Sequence, residues 1–219
     1  MTSKKKIAIA GATGFIGRWF IDTYKNQYDI VALSRKKTSF NEMMEWRMVD
    51  LFSISSSVEA LKGVDYALYL VHSMQPSTRL NQSNFEDTDL LLADNFSRAA
   101  AICNLEHIVY VGGILPKDNL NISKHLQSRY EVEQVLGSRK TPLTTIRAGI
   151  IIGPGGSSFK IIEKLVENLP IMACPKWTKS KNQPVDLRVA LKTIEEILGN
   201  PKYFNKPIEI GGEDVVTYM

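Results

Sequence analysis

Three glycines at three-residue intervals, Gly11, Gly14 and Gly17, are the residues whose types and spacing point most directly to chemistry. They stand in Gly11-Ala12-Thr13-Gly14-Phe15-Ile16-Gly17-Arg18, between the apolar run Ile7-Ala8-Ile9-Ala10 and a stretch with apolar residues at helical spacing. In a strand–turn–helix setting the first glycine permits a tight turn and the second lets the backbone approach a pyrophosphate. The third allows close packing of helix on strand. Free amides and the dipole at the helix start then favour an anion. Thr13, Phe15, Ile16 and Arg18 join the glycines as candidate dinucleotide contacts.

The wording Gly11-Ala12-Thr13-Gly14-Phe15-Ile16-Gly17 resembles the fingerprint of the short-chain dehydrogenase/reductase superfamily, in its extended and atypical branches. The resemblance covers nearly the whole chain and is closest to the NmrA-like group of NAD(P)H-binding domains. It implies a nicotinamide dinucleotide as cofactor. An NAD-selective site places Asp or Glu at the end of the second strand, against the ribose hydroxyls. Here that strand ends Leu33-Ser34-Arg35-Lys36-Lys37, with no carboxylate. Ser34 and Arg35 suit a 2′-phosphate, with Arg18 reaching in from the loop, because a guanidinium's donor fork matches phosphate geometry. NADP(H) is therefore favoured over NAD(H), a solvated basic turn being the alternative. Asp50 and Leu51 resemble the superfamily's adenine-contacting pair, and a turn or N-cap aspartate is the competing reading. Val71 and His72 fall where relatives line the cofactor's ribose and pyrophosphate.

Proton chemistry in the superfamily rests on Ser or Thr after the fifth strand and on Tyr-x-x-x-Lys in the next helix. This chain has Val111-Gly112-Gly113-Ile114 at the first place, with Gly112 a candidate cofactor contact. Aligning Arg129-x-x-x-Glu133 on the pattern puts His125 at the tyrosine position and Arg129 at the lysine position. Residues four apart share a helix face. His125 suits general acid–base work near neutral pH. Arg129 stays charged, so it can hold a ribose but cannot titrate. The plain alternative is that both are helix-surface residues. Tyr130 is one residue off, turned by about 100°. Ketone reduction by the tyrosine mechanism is not expected. Arg147 to Pro154 resembles the turn beneath the nicotinamide, and Gln183 to Ala190 a short strand and helix start. Pro170 to Lys181, with Trp177 and Lys176, Lys179 and Lys181, corresponds to the segment that closes the pocket in relatives.

The elements that must position these residues alternate along the chain. Strands are expected at Lys6–Ala10, Ile30–Ser34, Glu45–Val49, Tyr66–Val71, His107–Val111, Leu143–Ala148 and Ile208–Ile210. Helices are expected at Gly14–Tyr24, Ser55–Leu61, Asn84–Ala101, Ser123–Leu136, Phe159–Leu169 and Leu187–Leu198. Nearly continuous apolar strands suit burial on both faces. The β-α-β rhythm therefore implies an α/β Rossmann-type, doubly wound parallel sheet with helices on both faces. One domain spans residues 1–219, with 150–219 adding a small substrate-side region.

At 219 residues, 44% hydrophobic and 23% charged, the chain has ordinary globular composition. Its +4 charge is scattered, which argues against a nucleic-acid partner. The apolar run after Lys6 is too short to span a membrane or act as a signal, so a cytoplasmic location is expected. Cys103 and Cys174 form no metal-binding pattern, and neither a metal site nor a disulfide is expected. Asn81, Asn95 and Asn121 head glycosylation-type triplets that carry no weight in that compartment. Thr217-Tyr218 matches the start of a helix in relatives, so the chain is expected to be the front part of a longer protein. Fold does not choose the activity, and two readings stand. One is an oxidoreductase or epimerase-like enzyme on an unknown small-molecule substrate, with His125 in place of tyrosine. The other is a non-catalytic NADP(H) sensor or scaffold for a protein partner.

Overall fold

Alternate residues of a strand point to opposite faces, and here the central strands feed two separate cores. The computed structural model describes residues 4–36, 44–72, 85–116, 122–156 and 181–217. The first half carries β1 (Lys6–Ala10), α1 (Phe15–Tyr24), β2 (Asp29–Ser34), β3 (Glu45–Met48), α2 (Ile54–Leu61), β4 (Tyr66–Tyr69) and α3 (Phe85–Ile102). The second half carries β5 (His107–Gly113), α4 (Lys124–Leu136), β6 (Leu143–Ala148), β7 (Ile151–Ile152), β8 (Val185–Asp186), α5 (Leu187–Ile197) and β9 (Lys206–Ile210). Seven strands form one sheet in the order β3-β2-β1-β4-β5-β6-β9. Every pairing in it is parallel. This is a doubly wound Rossmann-type sheet.

Ile7, Ile9, Ala32, Leu68, Val109 and Ile146 pack under α1 and α5, where Phe20, Ile21, Leu191 and Ile194 meet them. Their neighbours Ala8, Ala10, Val31, Ala67, Tyr69, Ile108 and Tyr110 pack under α2, α3 and α4. The order reverses at β1, which pairs with β2 on one side and β4 on the other. A crevice beyond the strands' carboxyl ends at such a switch point is where open α/β sheets bind ligands.

Differences from the expected boundaries are local. β5 runs on through Gly112 and Gly113 because these pair with Arg147 and Ala148 of β6, a tertiary effect that overrides glycine's poor strand propensity. β4 ends at Tyr69, two residues before Val71, and β9 starts at Lys206 rather than Ile208. The expected helix 159–169 and the segment 170–180 with Trp177 lie outside the described residues, as do Asn81 and Asn121. Asn95 is buried in α3 and donates its amide to the Leu51 carbonyl at 2.9 Å.

His107, wholly buried, fixes the far side of the sheet. Its Nδ1 accepts from the Gly199 amide at 3.1 Å, which leaves Nε2 to donate to Thr144 Oγ1 at 2.9 Å. That hydroxyl donates in turn to the Tyr203 carbonyl at 2.6 Å. One neutral imidazole thus ties β5 and β6 to the turn that leads into β9.

Candidate active site

The glycine loop is built as a cradle. Gly11 leaves β1 at φ +93°, a left-handed conformation, beneath Leu70, whose Cβ a side chain at Gly11 would approach to 3.0 Å. Its carbonyl accepts from the Gly14 amide at 2.9 Å. A β-carbon on Gly17 would lie 2.5 Å from that same carbonyl oxygen, so α1 seats against β1 only with hydrogen there. Gly14 is the N-cap of α1 and provides no side-chain cap. The amides of Phe15, Ile16 and Gly17 lack a carbonyl one turn earlier in the helix, and Thr13 and Gly14 stand exposed beside them. Free amides of this kind could receive an anion.

Around the cradle, Ser34 closes β2 and its Oγ accepts from the Lys36 amide at 3.3 Å, while Arg35 is exposed. Asp50 works within a turn. Its Oδ1 accepts from the Phe52 amide at 3.2 Å and its own amide donates to Ser56 Oγ at 2.9 Å. Leu51 is buried. The turn role expected as the alternative for Asp50 is therefore present, ahead of α2, which Ser53 caps.

Past the end of β4 stand Val71 and His72, and α4 carries His125 and Arg129. Ser123 caps α4 by accepting from the Leu126 amide at 3.3 Å. Arg129 Nη1 donates to the Val111 carbonyl at 3.3 Å, and its own carbonyl accepts from Tyr110 OH at 3.3 Å. The guanidinium is thereby pinned at the end of β5. Both imidazoles are held below the ordinary histidine range: His72 by burial first, then by Arg129, with a smaller push from His125, and His125 by burial and then Arg129. Both residues nonetheless lie exposed at the surface. Three basic side chains from β4's end and from α4 thus share one electrostatic neighbourhood, which disfavours the charged form of both imidazoles.

The position expected for a serine is filled from the helix side. A β-carbon on Gly113 would meet Leu126 Cδ2 at 2.6 Å, and one on Gly112 would meet the Tyr110 ring at 3.2 Å.

A family model described as the NAD dependent epimerase/dehydratase family matches residues 7–169. The chain belongs to that family. A curated relative, the auxiliary protein GraX of Staphylococcus aureus (strain NCTC 8325 / PS 47), is 32% identical over 148 residues, covering 65% of this chain. The match spans 43% of that relative's length. Among solved structures, the UDP-N-acetylglucosamine 4-epimerase of Bacillus cereus superposes with a TM-score of 0.72 at 19% identity, covering 98% of this chain and 81% of that one. The Bordetella bronchiseptica enzyme WbmG, in complex with NAD, superposes with a TM-score of 0.78 at 13% identity, over 99% and 76%. The UDP-glucose 4-epimerase of Thermus thermophilus, in complex with NAD, gives 0.73 at 15% identity, over 97% and 79%.

Within this epimerase/dehydratase fold, the structure adds contacts that sequence reasoning had not placed. The Gly153-Pro154 turn is tied to the cradle helix, because Trp19 Nε1 donates to the Pro154 carbonyl at 3.0 Å and Phe15 packs against Gly153 and Gly156. Arg147 and Glu133 form a double hydrogen bond at 2.8 and 3.1 Å. A lone arginine in the apolar β6 and a glutamate four residues after Arg129 were the available signals. Tyr130 turns away from His125 and lines a different cavity, beside Arg147 and Glu209. Among the described residues, no group of three or more His, Cys, Asp or Glu converges as a metal site, and no helix is long and apolar enough to cross a membrane.

Proposed function

We propose that this chain binds NADP(H), in preference to NAD(H), through Gly11, Thr13, Gly14, Phe15, Ile16, Gly17 and Arg18. The observation that carries the reading is the uncapped start of α1 over a cradle in which a β-carbon on Gly17 would meet backbone. Ser34 and Arg35 take the adenosine 2′-phosphate, Asp50 and Leu51 flank the adenine, and Val71, His72 and Gly112 line the remainder. When bound, the dinucleotide supplies or removes a hydride.

The reaction is oxidoreductase or epimerase chemistry on a small molecule, with His125 handling the proton. Burial and the Arg129 guanidinium disfavour the charged form of its imidazole, which leaves the ring nitrogen available as a base. It therefore takes a proton from a substrate hydroxyl as that carbon is oxidised, and returns it on reduction. Arg129, fixed by the Val111 carbonyl, holds the ribose without titrating. Residues from 150 onward contribute the substrate side of one domain. NADPH oxidation by the full chain, offered quinones, aldehydes and sugar nucleotides, tests this. His125→Phe should remove most of the turnover and leave NADPH affinity within about twofold. Turnover unchanged in His125→Phe overturns the assignment.

A second reading has its own support. The 32% identical relative is named an auxiliary protein, and here glycine and Leu126 occupy the serine's place. A non-catalytic NADP(H)-binding sensor or scaffold, as in the NmrA-like group, would bind the cofactor and turn over nothing in that panel.

A further inference from the structure

On the side of α4 away from β4, the sheet carries a second concavity that no residue of the glycine loop enters. It is an open cavity of about 520 Å³, a size suited to a small organic ligand. Leu115, Pro116 and Ile122 make an apolar wall, Tyr130 projects from α4, and Arg147 and Glu209 lie side by side on the floor. These last two stand opposite each other in the register of β6 and β9.

The charges on that floor do not cancel. Arg147 gives both Nε and Nη2 to Glu133, and the pair is mostly buried, with 17% and 11% of its side chains exposed. That guanidinium is committed, since its planar fork already faces one carboxylate. Glu209 lies close enough to Arg147 to act on its charge, yet is exposed and makes no ion pair or hydrogen bond among the described residues. Two carboxylates thus share one guanidinium, which leaves a surplus negative charge facing the cavity. A tyrosine ring and an aliphatic wall stand next to it.

We propose that this cavity binds a small organic cation, an ammonium group carried on an apolar body. The Glu209 carboxylate meets the ammonium, the Tyr130 ring attracts it through its face, and Leu115, Pro116 and Ile122 cover the apolar part. An anion of the same shape would face Glu209 with no free guanidinium among the described lining residues to receive it.

Backbone amide NMR on the full chain, titrated at low salt to 10 mM of phenethylamine or of 3-phenylpropionate, tests the proposal. The amine should shift the amides of Tyr130, Arg147 and Glu209 along a saturating curve, and the acid should not. Glu209→Gln, at an exposed edge-strand position, should keep its melting temperature and bind the amine at least tenfold more weakly. Gly14→Val should keep amine binding while losing NADPH, which separates this site from the dinucleotide reading. Equal shifts by amine and acid, no saturating shift with the amine, or an unchanged affinity in Glu209→Gln would each overturn the proposal.

Discussion

Leu126 and Gly113 occupy one another's space: a β-carbon on Gly113 would stand 2.6 Å from Leu126 Cδ2. The strand end that resembles a serine position is thus matched to the helix residue above it. The obstructing atom is the far end of a flexible side chain, so a rotamer change relieves the contact at modest cost. Gly113→Ser should destabilise the chain by about 1 kcal/mol, within the usual overpacking range. In a Leu126→Ala background the same substitution should cost at least about 0.5 kcal/mol less. Urea unfolding of the four proteins measures the coupling, and strictly additive effects would show that the two positions do not constrain each other.

Gly17 and Gly14 should fail in different ways. A β-carbon on Gly17 meets backbone, at 2.5 Å from the Gly11 oxygen and 2.9 Å from Ala12 Cα, and neither can swing aside. Gly17→Ala should lower stability by about 1–3 kcal/mol. Gly14 has an extended backbone, φ −76° and ψ 176°, and its β-carbon would meet only the Gly11 oxygen, at 3.1 Å. Gly14→Val should therefore fold and lose NADPH. Thermal melts alongside calorimetric NADPH titrations separate the two outcomes, and normal NADPH binding by Gly14→Val would remove the loop from the site.

What the sequence made legible is what local pattern governs. The apolar β-rich runs read as buried strands because both faces of each are covered, as with Ala67, Leu68 and Tyr69. The glycine spacing was readable because the steric demand at Gly17 is set by Gly11 and Ala12 in the same loop, whereas the one at Gly11 comes from distant Leu70. Contacts between distant segments were not legible. Nothing local to Leu126 says that it meets Gly113, nor does anything local to Trp19 say that it donates to Pro154, 135 residues later. Helix angle alone separates Tyr130 from the His125 position, but its cavity depends on β9, which joins β6 only in the folded sheet.

The proposed preference for NADP(H) rests on Arg35. That residue is exposed beside Ser34 at the carboxyl end of β2, where Ser34-Arg35-Lys36 offers no carboxylate to receive a ribose diol. A charge-assisted pair with a 2′-phosphate contributes about 1.5–3 kcal/mol, so Arg35→Ala should weaken NADPH binding roughly tenfold or more and leave NADH binding unchanged. Paired titrations at two salt concentrations check this, the NADPH advantage shrinking at higher salt. Equal loss for both dinucleotides would place Arg35 away from the 2′ position.

His107 should make the fold sensitive to mild acid. Burial pushes its imidazole down to about 4 from 6.5, and its neutral form already uses both ring nitrogens, one accepting from Gly199 and one donating to Thr144. Between these two values the unfolded chain takes up a proton that the native state refuses. Stability is therefore full above pH 6.5 and falls as the pH drops towards 4, by about 3 kcal/mol across the window. That is a large fraction of the 5–15 kcal/mol typical of a domain. The ion-paired carboxylates Glu45 and Asp65, whose titration is lowered, add a loss of the same sign at the acid end. A His107→Gln protein separates the contributions, since it keeps those carboxylates and cannot titrate at 107. Urea midpoints at pH 7.5, 5.5 and 4.5 should show a lower starting stability in His107→Gln but a much shallower decline. An equally steep decline in both proteins would mean that the buried imidazole does not control the acid response.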